Sequence, residues 1–276
     1  MRPLYRATLK PRPATEWLNH LIYRPLAHLV VLALWPTRVR PEALVLIHTG
    51  IGLLAAWLVA RGPAGDVPAA LLLQLKTVLD NADGQLARAK GWTSELGRYL
   101  DTLGDFTVNV ALFAALAART GAWVEAMGAL AILTLLLSWD YNLERLYRAA
   151  RGEAFRPPFA EASGGPWLRG LQRAYRLLFA PQDAWVERLE RAAFAWGSRG
   201  APPMARAALA QLWWSPTTLT LAANLGLTTQ LAIAGVFLAL HQPRAYLTFV
   251  LLEAGYLGLV YVWRIWRLKN ATLSLR

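Results

Sequence analysis

Residues 80–105 have the sequence DNADGQLARAKGWTSELGRYLDTLGD, and the rest of the chain is organised around this stretch. Asp80 and Asp83 are three positions apart, and Asp101 and Asp105 are four positions apart, so helical spacing places each pair on one face of a helix. If the two helices face each other, four carboxylates converge, and they would repel one another and be costly to desolvate. Two divalent cations would cancel this charge, and oxygen ligands suit Mg²⁺ or Mn²⁺. The stretch therefore predicts a two-metal site.

Apolar runs that are too long for an ordinary soluble core flank this stretch on both sides. The chain has 276 residues, of which 56% are hydrophobic and 13 are Trp, and its mean hydropathy is +0.31. This composition is typical of a membrane protein, and the length suits one domain. We predict an all-α membrane protein with six transmembrane helices that form a single membrane-embedded domain over residues 1–276. The predicted helices cover residues 43–60, 67 into the motif, 96–120, 122–142, 216–240 and 245–263.

Two further segments are basic and amphipathic. In residues 1–40, apolar positions recur every three or four residues between arginines, which predicts an N-terminal amphipathic helix on the membrane surface. The apolar run at 26–35 is short, sits late and lacks a small-residue cleavage site, so a signal peptide is not predicted. Residues 145–214 hold many arginines and no spanning run. We predict a long, basic, partly helical cytoplasmic insertion there, with surface helices near 167–179 and 185–196, and we favour a solvated basic segment on anionic lipid over a regulatory or partner-binding role.

The charge of the chain predicts its partners and its orientation. The formal net charge is +12, which suits nucleic acid or an anionic membrane, and the high hydrophobicity favours membrane lipids, with no nucleic acid. Lys and Arg concentrate in the N-terminal segment, the motif connection, the insertion and the C-terminal tail, whereas the opposite connections hold Arg61, Arg119 and Arg244. The positive-inside rule then places both termini and the motif on the cytoplasmic side of an inner or cytoplasmic membrane. The absence of cysteine excludes disulfides and thiol chemistry.

The motif also resembles a known signature. In pattern form it is D-x2-D-G-x2-A-R-x8-G-x3-D-x3-D, which is similar to that of the CDP-alcohol phosphotransferase (CDP-alcohol phosphatidyltransferase) family. With average residue frequencies, a chance match at all the specified positions falls below about one in a million. The resemblance implies an enzyme of phospholipid biosynthesis that moves a substituted phosphate from a CDP-linked donor to an alcohol and releases CMP. Relatives of this kind are commonly homodimers, so a homodimer is expected.

The chemistry of such a reaction suggests roles for the four aspartates. Two metal ions can bridge the donor phosphates and stabilise charge on the entering and leaving oxygens. Asp80, Asp83 and Asp101 are the natural ligands. The resemblance assigns Asp105 as the base that takes the hydroxyl proton, while it also touches a metal.

The remaining motif positions fit a bound nucleotide. Gly84 and Ala87 leave room for it against the helix, Arg88 supplies a fixed charge for a phosphate oxygen, and Gly97 allows a close approach of a helix or of the nucleotide. Lys76 either faces the carboxylates or a phosphate, or extends to the interface. His48 and Asn109 are explained by hydrogen bonds between helices, and we assign them no function.

The sequence leaves the substrates open. The leading hypothesis is CDP-diacylglycerol as donor and a small polar alcohol, such as inositol phosphate, glycerol phosphate or serine, as acceptor. A second enzyme would transfer from CDP-choline or CDP-ethanolamine to diacylglycerol. A divalent-cation transporter is the non-enzyme alternative. Several charged residues lie near the predicted cytoplasmic mouth of the site. Either some of them bind the acceptor or they are the ordinary charged residues that flank membrane helices on the cytoplasmic side, and we favour the second interpretation. They are Glu95, Arg98, Asp140, Arg145, Arg148 and Arg151.

Overall fold

The computed structural model describes residues 5–155 and 165–274, and within those ranges the chain contains helices and no strand. Short π and 3-10 turns at Asn19–Tyr23, Pro63–Gly65 and Pro203–Ala205 extend some of the α-helices. The α-helices are α1 (Tyr5–Thr8), α2 (Arg24–Leu34), α3 (Pro41–Ala60), α4 (Asp66–Lys90), α5 (Glu95–Thr120), α6 (Trp123–Ala149), α7 (Pro166–Leu178), α8 (Ala180–Gly197), α9 (Arg206–Trp213), α10 (Pro216–Ala223), α11 (Leu227–Ala239) and α12 (Pro243–Leu273).

Five helical stretches of the described residues are long and apolar enough to cross a membrane. The predicted all-helical membrane architecture is confirmed to that extent, but the sixth span stays a prediction. The predicted span that is not among the five is α4, in which Lys76 and the motif carboxylates interrupt the apolar sequence. The five stretches are Pro41–Ala60, Glu95–Thr120, Trp123–Ala149, Pro203–Ala239 and Pro243–Leu273.

Helices α3, α4 and α5 pack together as consecutive neighbours joined by short turns. At one end of this group the buried Asp66 accepts hydrogen bonds from the Arg119 guanidinium, with 2.8 Å from Nη2 to Oδ2, and lies 2.7 Å from His241 Nδ1. This cluster joins the start of α4, the end of α5 and the turn before α12. The motif lies towards the other end, where α4 finishes and α5 begins, so the two ends of the bundle carry different polar groups.

The N-terminal segment differs from the single amphipathic helix predicted for residues 1–40. Residues 9–16 are not helical, and a helix begins only near Trp17 and continues through α2. Pro11 and Pro13 explain the difference, because proline lacks an amide donor and disfavours helix in the residue before it. The helical part does keep an exposed apolar face suited to lipid. Residues 1–4 of the predicted segment lie outside the described ranges.

The non-helical residues instead cross the motif end of the bundle. Arg12 Nη2 lies 2.5 Å from Asp140 Oδ1, and Arg12 Nε lies 3.2 Å from Glu144 Oε2, both on α6. Thr8 is fully buried, and its hydroxyl lies 3.3 Å from Gln85 Oε1 on α4. The N-terminal segment therefore ties α4 to α6 beside the motif, and part of its basic charge is used inside the protein.

The fifth predicted helix, 216–240, is two helices in the structure. Helix α10 ends at Ala223 and α11 begins at Leu227, with Gly226 in an extended conformation between them. A Cβ at Gly226 would lie 2.8 Å from the Ala223 carbonyl oxygen, so the break needs glycine. Asn224 then uses its side chain to bind the Thr15 carbonyl oxygen, at 2.8 Å, in the N-terminal segment. A hydropathy pattern alone does not show this break, because apolar residues continue across it.

The predicted insertion 145–214 is largely helical, and its interpretation as a solvated basic loop is wrong for α8. The fully buried Glu190 on α8 forms a salt bridge with Arg264 of α12 at 2.7 Å. Predicted helices near 167–179 and 185–196 correspond to α7 and α8, and residues 156–164 lie outside the described part. Four further donors surround the Glu190 carboxylate: the indole N–H groups of Trp139, Trp213 and Trp214 and the hydroxyl of Tyr261.

Two other predicted helices end too early. Helix α6 continues to Ala149 instead of 142, and α12 continues to Leu273 instead of 263. The apolar pattern stops at the earlier positions, but polar residues in the extensions pack against α8 and the N-terminal segment. Both the N-terminal segment and the last turns of α12 consequently lie at the motif end of the bundle.

Candidate metal and catalytic site

Three of the four motif aspartates belong to one compact polar group. The ligand atoms of His48, Asp80, Asp83 and Asp101 all lie within 4.8 Å of one another. Helix α4 supplies two of the carboxylates and α5 supplies the third, as the facing of the two motif helices predicts. Helix α3 contributes the histidine.

His48 is the site residue that the sequence interpretation missed. It is fully buried, and its Nε2 lies 2.9 Å from Asp83 Oδ2, 3.8 Å from Asp101 Oδ1 and 4.0 Å from Asp80 Oδ1. When Asp83 is ionised, the short contact places a proton on Nε2, and this tautomer is assigned from the hydrogen bond. The hydrogen bond between helices that was predicted for His48 is present, and it places His48 beside the candidate metal ligands. An ionisable residue in the middle of an apolar helix was the signal that could have found it.

Asp105 is not a member of this group of ligand atoms, and it binds a lysine beside the group. Lys76 on α4 is fully buried, and its ammonium forms a salt bridge with Asp105 and a second one, at 3.0 Å, with Asp80 Oδ2. Of the two readings of Lys76, the structure supports the one in which it faces the carboxylates, and the side chain does not extend to the interface. The role of Asp105 as an additional metal ligand stays a prediction.

Small residues explain how α3 comes so close to α5. A Cβ at Gly104 would lie 2.5 Å from Thr49 Oγ1, and a Cβ at Gly52 would lie 2.7 Å from both methyl groups of Val108. Side chains at these glycines would push the two helices apart. Gly104 lies between Asp101 and Asp105, so the close packing occurs beside the carboxylates and brings His48 within reach of them.

Arg88 lies over Gly84, in the last turns of α4. A Cβ at Gly84 would lie 3.2 Å from Arg88 Nη1, and Arg88 Nε donates a hydrogen bond of 2.6 Å to the Thr8 carbonyl oxygen. The N-terminal segment therefore holds the guanidinium near the motif glycine. Ala87 is half-buried on the same helix. The nucleotide-binding roles of these residues remain predictions.

Gly97 lies in the first turn of α5, where Ser94 caps the helix. Its amide donates to Ser94 Oγ at 3.0 Å, and a Cβ at Gly97 would lie 3.6 Å from Glu42 of α3. That distance is an ordinary van der Waals contact, so the close approach between helices expected at Gly97 occurs instead at Gly52 and Gly104. Room for a nucleotide over Gly97 stays a prediction.

The donor set of the group fits a divalent cation. Three carboxylates from two helices meet there, and Asp101 Oδ1 is buried without a hydrogen-bond partner among the described residues. A buried carboxylate oxygen without a donor is costly unless a cation satisfies it. Carboxylates favour Mg²⁺ or Mn²⁺, while His48 donates to Asp83 and so orients a candidate ligand.

The five long apolar stretches indicate an integral membrane protein, and a buried polar group lies between three of its helices. Comparison with protein families then identifies the reaction class. The CDP-alcohol phosphatidyltransferase family model matches residues 38–162, and this part of the chain is a CDP-alcohol phosphatidyltransferase domain. A comparison with curated proteins found no significant match.

The family match confirms several predictions. The matched family consists of phosphotransferases that are typically dependent on a divalent metal, and it implies a CDP-alcohol substrate and a membrane lipid environment, so the match over residues 38–162 supports the predicted enzyme class. The matched range contains α3 to α6 and with them every residue of the polar group. Helices α7 to α12 follow the matched range.

Proposed function

We propose that this protein transfers a phosphatidyl group from CDP-diacylglycerol to the hydroxyl of a small polar alcohol and releases CMP, in phospholipid biosynthesis. The observation that carries the proposal is the convergence of Asp80, Asp83 and Asp101 within the matched domain, with one buried Asp101 oxygen that has no partner in the described structure. Two divalent cations, Mg²⁺ or Mn²⁺, bound there would neutralise charge on the donor phosphates and on the leaving oxygen.

The protein side chains would perform the other steps. The acceptor hydroxyl oxygen attacks the lipid-bearing phosphorus, a new P–O bond forms, and the P–O bond to CMP breaks. Asp105 takes the hydroxyl proton, and Lys76 holds its carboxylate in place. Arg88 binds a donor phosphate oxygen from its position over Gly84, while Ala87 and Gly97 leave space for the cytidine.

The transporter alternative loses its support with the family match, since the family consists of phosphotransferases. The position of the carboxylates also favours an enzyme. Asp101 is in the second turn of α5, and Asp83 is in the last third of α4, so the group lies towards one end of the bundle. A permeation site would need acids along the path through the membrane.

Orientation, domain unity and assembly are part of the same proposal. The motif end, with both terminal segments, faces the cytoplasm, where CDP-linked substrates are made, and the whole chain forms one membrane-embedded domain that assembles as a homodimer. Single cysteines at the exposed positions Ala64 and Gln242 should then react with a membrane-impermeant reagent from outside, and one at Gly91 only after the membrane is opened. Outside labelling at Gly91 would overturn this orientation.

The decisive experiment measures CMP release by the purified full-length chain with CDP-diacylglycerol and a panel of alcohols. Excess EDTA should abolish the release and Mg²⁺ or Mn²⁺ should restore it, because the bare carboxylates repel the donor phosphates. Asp80→Asn should remain inactive at metal concentrations that saturate the wild type. Glu125→Gln, a carboxylate that pairs with Arg244 at the other end of the bundle, is the matched control. Full turnover in excess EDTA would contradict the metal-dependent mechanism.

A further inference from the structure

A cavity of about 330 Å³ lies beside the two aspartates of α5. Asp101 and Asp105 are part of its lining, and the other walls come from α6, α7, the start of α8 and the first residue of α11. Among the described lining residues, none comes from α4, which carries Gly84, Ala87 and Arg88 of the proposed nucleotide site. A molecule in this cavity would therefore reach Asp101 and Asp105 from the side of α6, α7 and α8, without displacing a nucleotide held by α4. The volume is at the small end of ligand pockets.

One wall of the cavity is a continuous row of aromatic rings. Tyr99 and Tyr175 have ring centroids 5.4 Å apart, Tyr175 and Phe179 are 5.2 Å apart, and Phe179 and Phe106 are 5.3 Å apart. Two of these rings belong to α5, and the other two belong to the α7–α8 region. Aromatic faces attract cations, and quaternary ammonium groups are bound in proteins by such walls.

Asp183, in the first turn of α8, adds a carboxylate to the same cavity. Its Oδ1 accepts hydrogen bonds from Ser138 Oγ at 2.5 Å and from Asn142 Nδ2 at 3.3 Å. Both donors are neutral, and no Lys, Arg or His of the described chain lies within salt-bridge distance of Asp183. Arg145 pairs with Glu187 and lowers the pKa of Asp183 only through its charge at a longer distance. Burial raises the pKa of Asp183, so a cation in the cavity would stabilise its ionised form.

We infer that Asp183 and the aromatic wall select an acceptor alcohol that carries a positively charged nitrogen, either an amino alcohol or its quaternary ammonium form. The lining contains three carboxylates, at Asp101, Asp105 and Asp183, and one cationic side chain, at Arg98. Bound metal ions would offset the charge of Asp101, and Lys76 offsets that of Asp105. A phosphorylated polyol would therefore be disfavoured by the remaining carboxylate, that of Asp183. This inference rests on the proposed function, because it names the acceptor of that same site.

The selecting residues lie beyond the matched family domain. Tyr175, Phe179 and Asp183 all follow residue 162, where the family match ends. The buried contacts of Glu190 fix α8 against α6 and α12, and so hold Asp183 against Ser138 on α6. The insertion therefore has a specific task next to the carboxylates, beyond its contact with lipid.

The test compares acceptors with the purified full-length protein, Mg²⁺ and CDP-diacylglycerol. Ethanolamine, choline or serine should support CMP release at a lower KM than glycerol 3-phosphate or inositol phosphate. Asp183→Asn should raise the KM for the cationic alcohol by about tenfold or more with little change in kcat, because it removes a charged contact outside the reacting atoms. Phe179→Leu, which keeps an apolar side chain, should raise the KM about three- to tenfold through loss of the ring face.

Glu187→Gln is the matched control, because it removes a carboxylate one turn further along α8 that pairs with Arg145 and Arg191. Its KM should equal that of the wild type. A second experiment offers CDP-choline with diacylglycerol. CMP release from CDP-choline, without release from CDP-diacylglycerol, would show that the cationic alcohol arrives bound to the nucleotide. Lower KM values for phosphorylated acceptors, or an unchanged KM in Asp183→Asn, would overturn the inference and leave the proposed function intact.

Calorimetric titration of choline and ethanolamine into the wild type and Asp183→Asn tests the site without turnover. Binding of at least one of them to the wild type, weakened about tenfold in the variant, supports the inference. No binding of either one to a folded wild-type protein overturns it. Absence of CMP release with every donor and acceptor, together with normal choline binding, would instead contradict the proposed function.

Discussion

Lys76 and Asp105 form a salt bridge that connects α4 to α5 beside the carboxylate group. The lysine is fully buried, and its ammonium is also 3.0 Å from Asp80 Oδ2. One buried cation thus contacts both a proposed metal ligand and the proposed base. A buried ammonium needs such partners, and each carboxylate depends in turn on the ammonium for its position.

Replacement of Lys76 by Met tests this link. We expect Lys76→Met to reduce the rate of CMP release by about 10²–10⁴-fold, the range typical of a lost general base, because Asp105 loses the group that holds it. Lys90→Met is the control, since Lys90 is the last residue of α4 and its ammonium donates to the carbonyl oxygens of Leu34 and Thr37. Rates are measured at saturating Mg²⁺ on folded, monodisperse protein. Wild-type turnover in Lys76→Met would show that the salt bridge has no part in the reaction.

The second prediction concerns His48. We expect His48→Gln to weaken divalent-metal affinity by about 10–100-fold, because groups that orient metal ligands typically contribute that much. The measurement is a titration of Mn²⁺ followed by electron paramagnetic resonance. His28→Gln serves as the control, because that histidine packs edge-on against Tyr5 and is not a member of the compact group. Equal Mn²⁺ affinity in His48→Gln and the wild type would assign His48 to packing.

The sequence predicted the carboxylates of this site but not their surroundings. Helical spacing was enough to pair Asp80 with Asp83 on one helix and to face them towards Asp101 on another. Helical spacing gave no information on the position of α3, because the close approach of α3 to α5 depends on Gly52 and Gly104, which are not part of the motif. His48 thus reached the site through tertiary packing, and its one signal in the sequence was an ionisable side chain inside an apolar helix.

The fold was predictable where apolar length decides it and unpredictable where a tertiary contact does. Helices α3 and α5 begin and end close to the predicted residues, because turn signals bound their apolar runs. The break before α11 depends on Gly226 and on contacts of Asn224 with the N-terminal segment. The buried position of α8 depends on Glu190, which in sequence looks like one more charge of a basic, amphipathic segment.

The third prediction uses Glu190 as a stability probe. Burial alone would raise its pKa, but Arg264 and the surrounding donors lower the pKa to about 2. An unfolded glutamate has a pKa of about 4.3, so the stabilisation is fully present above that pH and declines as the pH falls towards about 2. We expect Glu190→Gln to destabilise the protein at pH 7, by about 3–5 kcal/mol, because Arg264 stays buried without its counter-charge.

Thermal unfolding in detergent at pH 7 and pH 3 checks this result. The difference in unfolding temperature between the wild type and Glu190→Gln should be large at pH 7 and smaller at pH 3. Glu187→Gln, on the same helix but at an ion pair with the exposed Arg191, should shift the unfolding temperature only slightly. A difference that stays constant with pH would show that the Glu190 charge is not the source of the stability.

The last prediction separates the proposed base from the proposed ligands. Asp80→Asn removes a charged ligand of the compact group, so it should weaken metal binding as well as turnover. Asp105→Asn should keep metal and CDP binding and lose turnover by about 10²–10⁴-fold, because Asp105 is held by Lys76 outside that group. Arg88→Ala provides the contrast, since it should weaken CDP binding and leave metal affinity unchanged. Calorimetric titrations of Mn²⁺ and CDP into each variant decide between these roles. If Asp105→Asn loses Mn²⁺ as completely as Asp80→Asn does, Asp105 is a metal ligand, and another group must accept the hydroxyl proton.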